Sequence, residues 1–409
     1  MHFDVRAGLA GGIVKMLTVM STILVANIVA LLFSFFVIGA VLGALFSQPI
    51  RDKLVKLLRL ERFQKLILLE KHPHNPIIRP GTHPWTAEAV LNPAALVLQN
   101  RTHLVYRAVG MDGVSRLGYA SSPDGLLFDE RFPYPVYVAQ KPRNVPGHAQ
   151  RYSFVLYPSG GSWGGCEDPR MVDIEGRIYI TFNMFDGWDY IRVAVISIAE
   201  DDFLAEQFWK WDGPHILSKP GERHKNWVLF PEKIGGKFAI LHSIAPVVEV
   251  AYRDAMEDIG TDEPFVDSWE GPRTDLPERE NAWDSFIRSP GPPPVRTEQG
   301  WLLFYHAMEA NDPSRYKLGA MLLDADDPTK VLYRSVGPVL VPNETYENHG
   351  KPGIVYACGA VVRNGQLFVY YGGADKVICV ATTPLHSFID ALIKGNQPEL
   401  ETMELAQAP

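Results

Sequence analysis

The sequence predicts an all-β fold, a five-bladed β-propeller, preceded by an N-terminal transmembrane helix. Three observations lead there. Five segments share one strand–turn–strand pattern, 34 Gly and 32 Pro are spread along the 409 residues, and one long apolar run near the N-terminus carries no charge. Many short strands joined by Gly and Pro turns are the mark of a sandwich or a barrel-like all-β fold.

The five segments are NPAALVLQNRTHLVYRA, EDPRMVDIEGRIYITFN, LFPEKIGGKFAILHS, PPPVRTEQGWLLFYHAM and CGAVVRNGQLFVYYGGAD. Each reads as two β-strands around a tight turn such as EGR, GGK, EQG or RNG. Aligned on Pro93, Pro169, Pro231, Pro294 and Ala360, they recur at intervals of 62 to 76 residues. A regular interval of that size means one supersecondary unit per repeat. Further strands follow the copies, among them SRLGYASS, IRVAVISI, YKLGAMLLD and KVICVATT, as outer strands of a blade should. A β-sandwich is the competing architecture, but it does not call for five similar copies.

Between Met16 and Ile50 there is no charged residue. Such a run exceeds the ~20 apolar residues that span a bilayer and is longer than the apolar core of a cleaved signal. Arg6 and Lys15 precede it, whereas Arg51, Lys53, Lys56, Arg59, Arg62 and Lys65 follow it. Basic residues stay on the cytoplasmic side, so the expectation is a single-pass membrane chain whose large domain faces the cytoplasm. The expected organisation is a transmembrane segment over 1–50, a basic amphipathic helix or linker over 51–74, the propeller over 75–395 and a tail over 396–409.

Composition excludes some partners. The net charge of -8 leaves no basic footprint for nucleic acid. Cys166, Cys358 and Cys379 are too few for a disulfide framework, which favours a reducing compartment. No spacing of His, Cys, Asp or Glu suggests a metal site; His72, His74 and His83 lie in a Pro-rich linker.

The innermost strands of a propeller converge on its axis, and here the strand ends are unusually polar. Asn92, Arg107, Asp168, Arg170, Lys225, Asn226, His242, His306 and Asp375 all stand there. An inert scaffold needs no such set. Taken in order, NPAALVLQ with YRA, SSPDGLLF, CEDPRM, KNWVLFPEKIGGKF, GPPPVRTEQGWLLFYH, YKLGAMLLDADDPTKVLYR and YYGGADKVICVAT resemble glycoside hydrolase family 130, the β-mannoside phosphorylases and β-mannosidases, from about Asn75 to about Ile389.

The resemblance implies inverting cleavage of β-mannosides at the mouth of the propeller, by hydrolysis or by phosphorolysis to α-mannose 1-phosphate. It makes Asp168 of EDPR the general acid, passing its proton through a sugar hydroxyl. It places Asn92 and Arg107 against the sugar, Asp375 at an acidic sugar-binding position, and Lys225 with Asn226 at phosphate and sugar. No cofactor is implied; inorganic phosphate is the co-substrate of a phosphorylase. The partner is a β-mannoside oligosaccharide or glycoconjugate.

Other positions carry two readings each. Arg170 either faces phosphate, which suits a bidentate guanidinium, or lies behind Asp168. Asp124 in SPDG binds substrate or merely shapes a turn. Tyr305 and His306 end a repeat strand beside the polar set, as substrate contacts or as core. The stretch LHSIAP puts Ser243 where many family phosphorylases have a second phosphate-binding Arg. If the enzyme is instead a hydrolase, it needs a carboxylate base ~6.5–9.5 Å from the acid, and Glu232 and Glu309 are the candidates. The alternative function is a non-catalytic, membrane-tethered sugar-binding propeller.

Overall fold

The computed structural model describes residues 69–139, 162–187, 191–218, 223–256, 283–309 and 311–395, with Met20, Ser21, Leu24, Asn27, Leu31 and Ser34 near the N-terminus. A short strand, β1 (Glu70–Lys71), opens the β-rich part. Five antiparallel units follow. The first is β2 (Ala89–Leu98), β3 (Arg101–Val109) and β4 (Val114–Ser122), with β5 (Glu130–Arg131) on the edge of β4. The second is β6 (Gly164–Ile174), β7 (Arg177–Phe185), β8 (Arg192–Ala199) and β9 (Asp212–Ile216), with helix α1 (Glu200–Leu204) between the last two.

The third unit has β10 (Val228–Leu229), β11 (Phe238–Ser243) and β12 (Glu249–Arg253). The fourth has β13 (Phe286–Pro290), β14 (Val295–Thr297), β15 (Gly300–Glu309), β16 (Asp312–Leu323) and β17 (Val331–Arg334). The fifth has β18 (Val355–Arg363), β19 (Gln366–Gly373) and β20 (Val377–Pro384), and helix α2 (Leu385–Gly395) follows it. Strand β1 completes this last unit by pairing with β20, Glu70 opposite Thr382.

The middle strands read as near-continuous apolar runs because both faces are covered. In β15, WLLFYHAM is buried throughout. The buried clusters say by what. One joins the first unit to the second through Val105, Leu117, Ile180 and Phe182. Others join the second to the third, the third to the fourth and the fourth to the fifth. The fifth returns to the first through Val90, Leu104, Phe368 and Tyr370.

The five-bladed propeller is nevertheless corrected. The described strands hydrogen-bond into four sheets rather than five, and none closes on itself. The first two units share one sheet because β4 runs parallel to the start of β6, Val114 beside Gly164 and Ser115 beside Gly165. Gly165 permits that approach. Its φ is +110°, and a Cβ there would lie 2.1 Å from the Ser115 carbonyl oxygen. Gly165→Ala is therefore expected to cost ~3 kcal/mol by forcing the strands apart against an unfavourable φ. A thermal midpoint within about one degree of the parent would refute it.

The expected transmembrane helix is also overturned. No helix among the described residues is long and apolar enough to cross a membrane. With it goes the membrane tether and the cytoplasm-facing placement of the domain. Most of the 1–50 segment lies outside the described residues, as do 51–68 of the expected basic helix and the tail over 396–409. An uncharged apolar run demands burial, and sequence alone does not say against what. At the end of the expected basic helix, Leu69 is buried and Glu70–Lys71 is strand, not helix.

Candidate active site

The first, second, fourth and fifth units each have an irregularity in the strand that faces a common cavity. In β2, Asn92 and Pro93 together oppose Tyr106; in β6, Asp168 and Pro169 together oppose Phe182. Two residues against one is a bulge, which bends the strand and re-aims a side chain. Local chemistry favours it: Pro cannot donate to the ladder, and Asn and Asp tolerate the left-handed region. Asn92 (φ 49°) and Asp168 (φ 52°) both adopt it. Single-residue shifts occur at Arg288 in β13 and at Cys358 in β18. The third unit brings Asn226, at φ 65°, just before β10.

These units surround a cavity of about 380 Å³, within the range of small-molecule sites. Asn92, Arg107, Asp168, Lys225, Asn226, His242 and Asp375 all line it, so seven of the residues singled out from sequence meet there. Asp168 is the centre of the arrangement. Its Oδ1 accepts a hydrogen bond from Asn92 Nδ2 at 2.7 Å and another from an Arg107 guanidinium nitrogen at 3.2 Å. Burial alone would raise its pKa. Arg107, Lys225 and Arg170, together with the Asn92 amide, outweigh burial and hold the carboxyl below its ordinary value.

Arg107 is itself fixed. Its Nε donates to Ser115 Oγ at 2.8 Å, and another nitrogen donates to Ser162 Oγ and to Glu167 Oε1, both at 3.0 Å. Lys225 Nζ donates to Glu167 Oε2 at 3.1 Å. Asn226 is held by Asn183: its backbone N–H donates to Asn183 Oδ1, and its Oδ1 accepts from Asn183 Nδ2. Asp375, at φ 53°, lies 3.5 Å from Lys351 Nζ. Four non-glycine residues on the cavity wall thus hold left-handed backbones, and such strain concentrates at functional sites.

Other expected site residues do not reach the cavity. Arg170 lies behind it, donating to the Asp168 and Gly291 carbonyls at 2.8 Å each. His306 is fully buried under Tyr356, rings stacked 3.9 Å apart, and its Nε2 accepts the Ala357 N–H. Burial, with Arg170 nearby, lowers its pKa to about 3, so it is a neutral support. Tyr305 donates to the buried carboxylate of Asp284, which Arg334 also grips. Asp124 accepts the Leu126 and Leu127 N–H groups at 2.8 Å each, the work of a turn residue. Glu232 is exposed beside Arg296, and Glu309 is paired with Lys317.

The cavity also holds residues that the sequence reading missed: Arg223, His224, Arg288, Tyr316, Lys351 and Tyr356. Arg288 could have been found, because the short run FIRSP sets Arg-Ser after two apolar residues, directly upstream of the Pro-rich turn where a strand must end. Arg107, Arg223, Lys225, Arg288 and Lys351 are the cations on the wall, against the carboxylates of Asp168 and Asp375. Ser243 donates to the carbonyl of Val247 instead, turned onto its own loop. No cluster of His, Cys, Asp or Glu suited to a metal occurs among the described residues.

Comparison with known proteins fits this geometry. A 1,2-β-oligomannan phosphorylase from Thermoanaerobacter sp. (strain X514) is 34% identical over 77% of this chain and 97% of its own length. A β-1,2-mannobiose phosphorylase from the same organism is 33% identical over 76% and 96%. A glycosyl hydrolase structure from Bacteroides ovatus superposes with a TM-score of 0.60 at 25% identity, covering 78% of this chain and 94% of the other. The family model described as β-1,4-mannooligosaccharide phosphorylase matches residues 60–394. With the match spanning most of the chain, and with Asp168 of EDPR set among Asn92, Arg107 and Lys225, the chain belongs to glycoside hydrolase family 130.

Proposed function

We propose that this enzyme is a β-mannoside phosphorylase, acting on β-1,2-linked mannosides and releasing α-mannose 1-phosphate. The observation that carries the choice of phosphorolysis is the charge of the cavity: five cations face it, and the two candidate hydrolytic bases, Glu232 and Glu309, stand outside it. A hydrolase needs a second carboxylate to activate water, and the other carboxylate on the wall, Asp375, is paired with Lys351 and assigned to the sugar. A phosphorylase needs cations and fixed donors for phosphate instead. The guanidinium missing at Ser243 is offset by Arg223 and Arg288, which bring charge from other segments. The choice of the β-1,2 linkage rests on the two Thermoanaerobacter relatives.

In this reading a phosphate oxygen attacks the anomeric carbon as the bond to the glycosidic oxygen breaks. The departing oxygen takes a proton that originates on Asp168. Arg107 and Asn92 hold the acid and the sugar together, while Lys225 faces the phosphate. Before phosphate binds, the surrounding cations hold the pKa of Asp168 below its ordinary value. Phosphate adds negative charge among those cations, which raises the pKa of the acid and helps it hold the proton it must give.

The test is incubation with β-1,2-mannobiose, with and without inorganic phosphate, followed by NMR of the products. Mannose 1-phosphate with an equal amount of free mannose, both formed only with phosphate, is expected; free mannose formed without phosphate, or formed with phosphate but without mannose 1-phosphate, would overturn phosphorolysis. Glu232→Gln and Glu309→Gln should each retain kcat/KM within about twofold, as surface changes away from the cavity do. A large loss in either would reopen the hydrolytic reading.

A further inference from the structure

Glu167 is fully buried and is not part of the cavity wall, yet its carboxylate is divided between two residues that are. Oε1 accepts from Arg107, and Oε2 accepts from Lys225. Arg107 at the same time reaches Asp168. One carboxylate therefore brackets the cation beside the acid and the cation assigned above to phosphate. We propose that Glu167 is a positioning residue that ties Arg107 to Lys225 and sets how strongly these cations act on Asp168 and on phosphate. This rests on the phosphorolysis reading.

The alternative, a salt bridge that serves stability alone, is a poor account of the geometry. Ion pairs buried this deeply contribute little net stability, because desolvation offsets attraction. A stabilising pair also needs only one partner, whereas Glu167 spans two that converge on the reacting centre. Its charge has a direction of action. It competes with phosphate for Lys225 and with Asp168 for Arg107, so it weakens phosphate binding and keeps the acid protonated to higher pH.

The other titratable groups behind this pair are Cys166 and Arg170 on β6, His306 on β15, and Tyr356 and Cys358 on β18, while His224, His242 and Asp375 stand on the cavity wall with it. Burial lifts both thiols to about 12, raises Tyr356 and lowers His306 to about 3. These buried groups keep their charge state near neutral pH, and Arg170 stays cationic. His224 and His242 are the same in every variant, so a shift that follows the charge at position 167 is not theirs.

The experiment is steady-state phosphorolysis by the full chain and by Glu167→Gln and Glu167→Asp, as a function of phosphate and of pH. Glu167→Gln should lower kcat yet also lower the phosphate KM, by roughly threefold or more. An acid with a lower pKa loses its proton sooner, so the basic limb of kcat should move to lower pH by about one unit. Glu167→Asp keeps the charge and should return both the phosphate KM and the basic limb toward the parent, even where kcat stays low. A merely structural defect would raise the phosphate KM and leave the limb in place, and that result would overturn the assignment. Should Glu167→Gln fail to fold, Glu167→Asp decides alone: a basic limb displaced by about one unit despite the retained charge would overturn it. A parent enzyme without phosphate dependence would overturn the phosphorolysis reading, and this assignment with it.

Discussion

Asp168→Asn is expected to slow phosphorolysis of an ordinary β-mannoside by roughly 10³-fold, the scale of general acid catalysis. The substitution keeps size and shape. An amide oxygen at this position still accepts from Asn92 and Arg107, so the cavity should keep its form. What it lacks is a proton to give. A substrate whose leaving group needs no proton, such as a dinitrophenyl β-mannoside, should therefore be cleaved with a much smaller loss. Equal losses on both substrates would mean that Asp168 serves binding or folding, and unchanged activity on the ordinary β-mannoside would remove it from the reaction. The pH profile gives a second reading. Asp168 acts in its protonated form, so activity in the parent should fall as pH rises through its pKa in the phosphate complex, and that limb should vanish in the Asn variant.

The parts of this site that were legible in sequence share a physical signature. Asn92-Pro93 and Asp168-Pro169 interrupt apolar strands with a residue that tolerates positive φ and one that cannot pair. Such a conflict with strand formation is visible without a structure, and it marks where a strand turns its side chains toward a ligand. Lys225-Asn226 and Asp375 stand at the same kind of break.

The misreadings have a cause of their own. Tyr305 and His306 are polar residues inside β15, three residues short of its end, where the sequence pattern suggests the cavity rim. That strand is not the one nearest the cavity in the fourth unit; β13 is, paired to it with Ser289 opposite His306. Pro294, on which the repeat aligns, falls beyond β13, so the pattern passes over Arg288 and points to the neighbouring strand instead. Lys351 and Tyr356 come from the segment around the Thr345–Glu347 turn and the start of β18, where no period points inward. The five-unit pattern was legible because turns and alternation are local, whereas the merging of two units into one sheet depends on contact between Ser115 and Gly165, which lie far apart in sequence.

Arg170→Met should show which of its two expected roles holds. The guanidinium donates to the carbonyls of Asp168 and Gly291, joining the second unit to the fourth directly behind the acid. Met fills similar volume but leaves both buried carbonyls without this donor. The expected cost is about 3–5 kcal/mol, as for other buried charged groups removed from their partners. In a domain this large that is a fall in the thermal midpoint of ~6–15 °C. The carbonyl of Asp168 belongs to a residue at φ 52°, so losing its donor also loosens the acid. Below the unfolding transition kcat should drop while the phosphate KM changes little. Had Arg170 faced phosphate, the outcome would be reversed, with a raised phosphate KM and a nearly unchanged midpoint. The two results differ on two independent axes. The midpoint and the phosphate KM together therefore decide whether the arginine of EDPR holds the acid in place or binds the nucleophile.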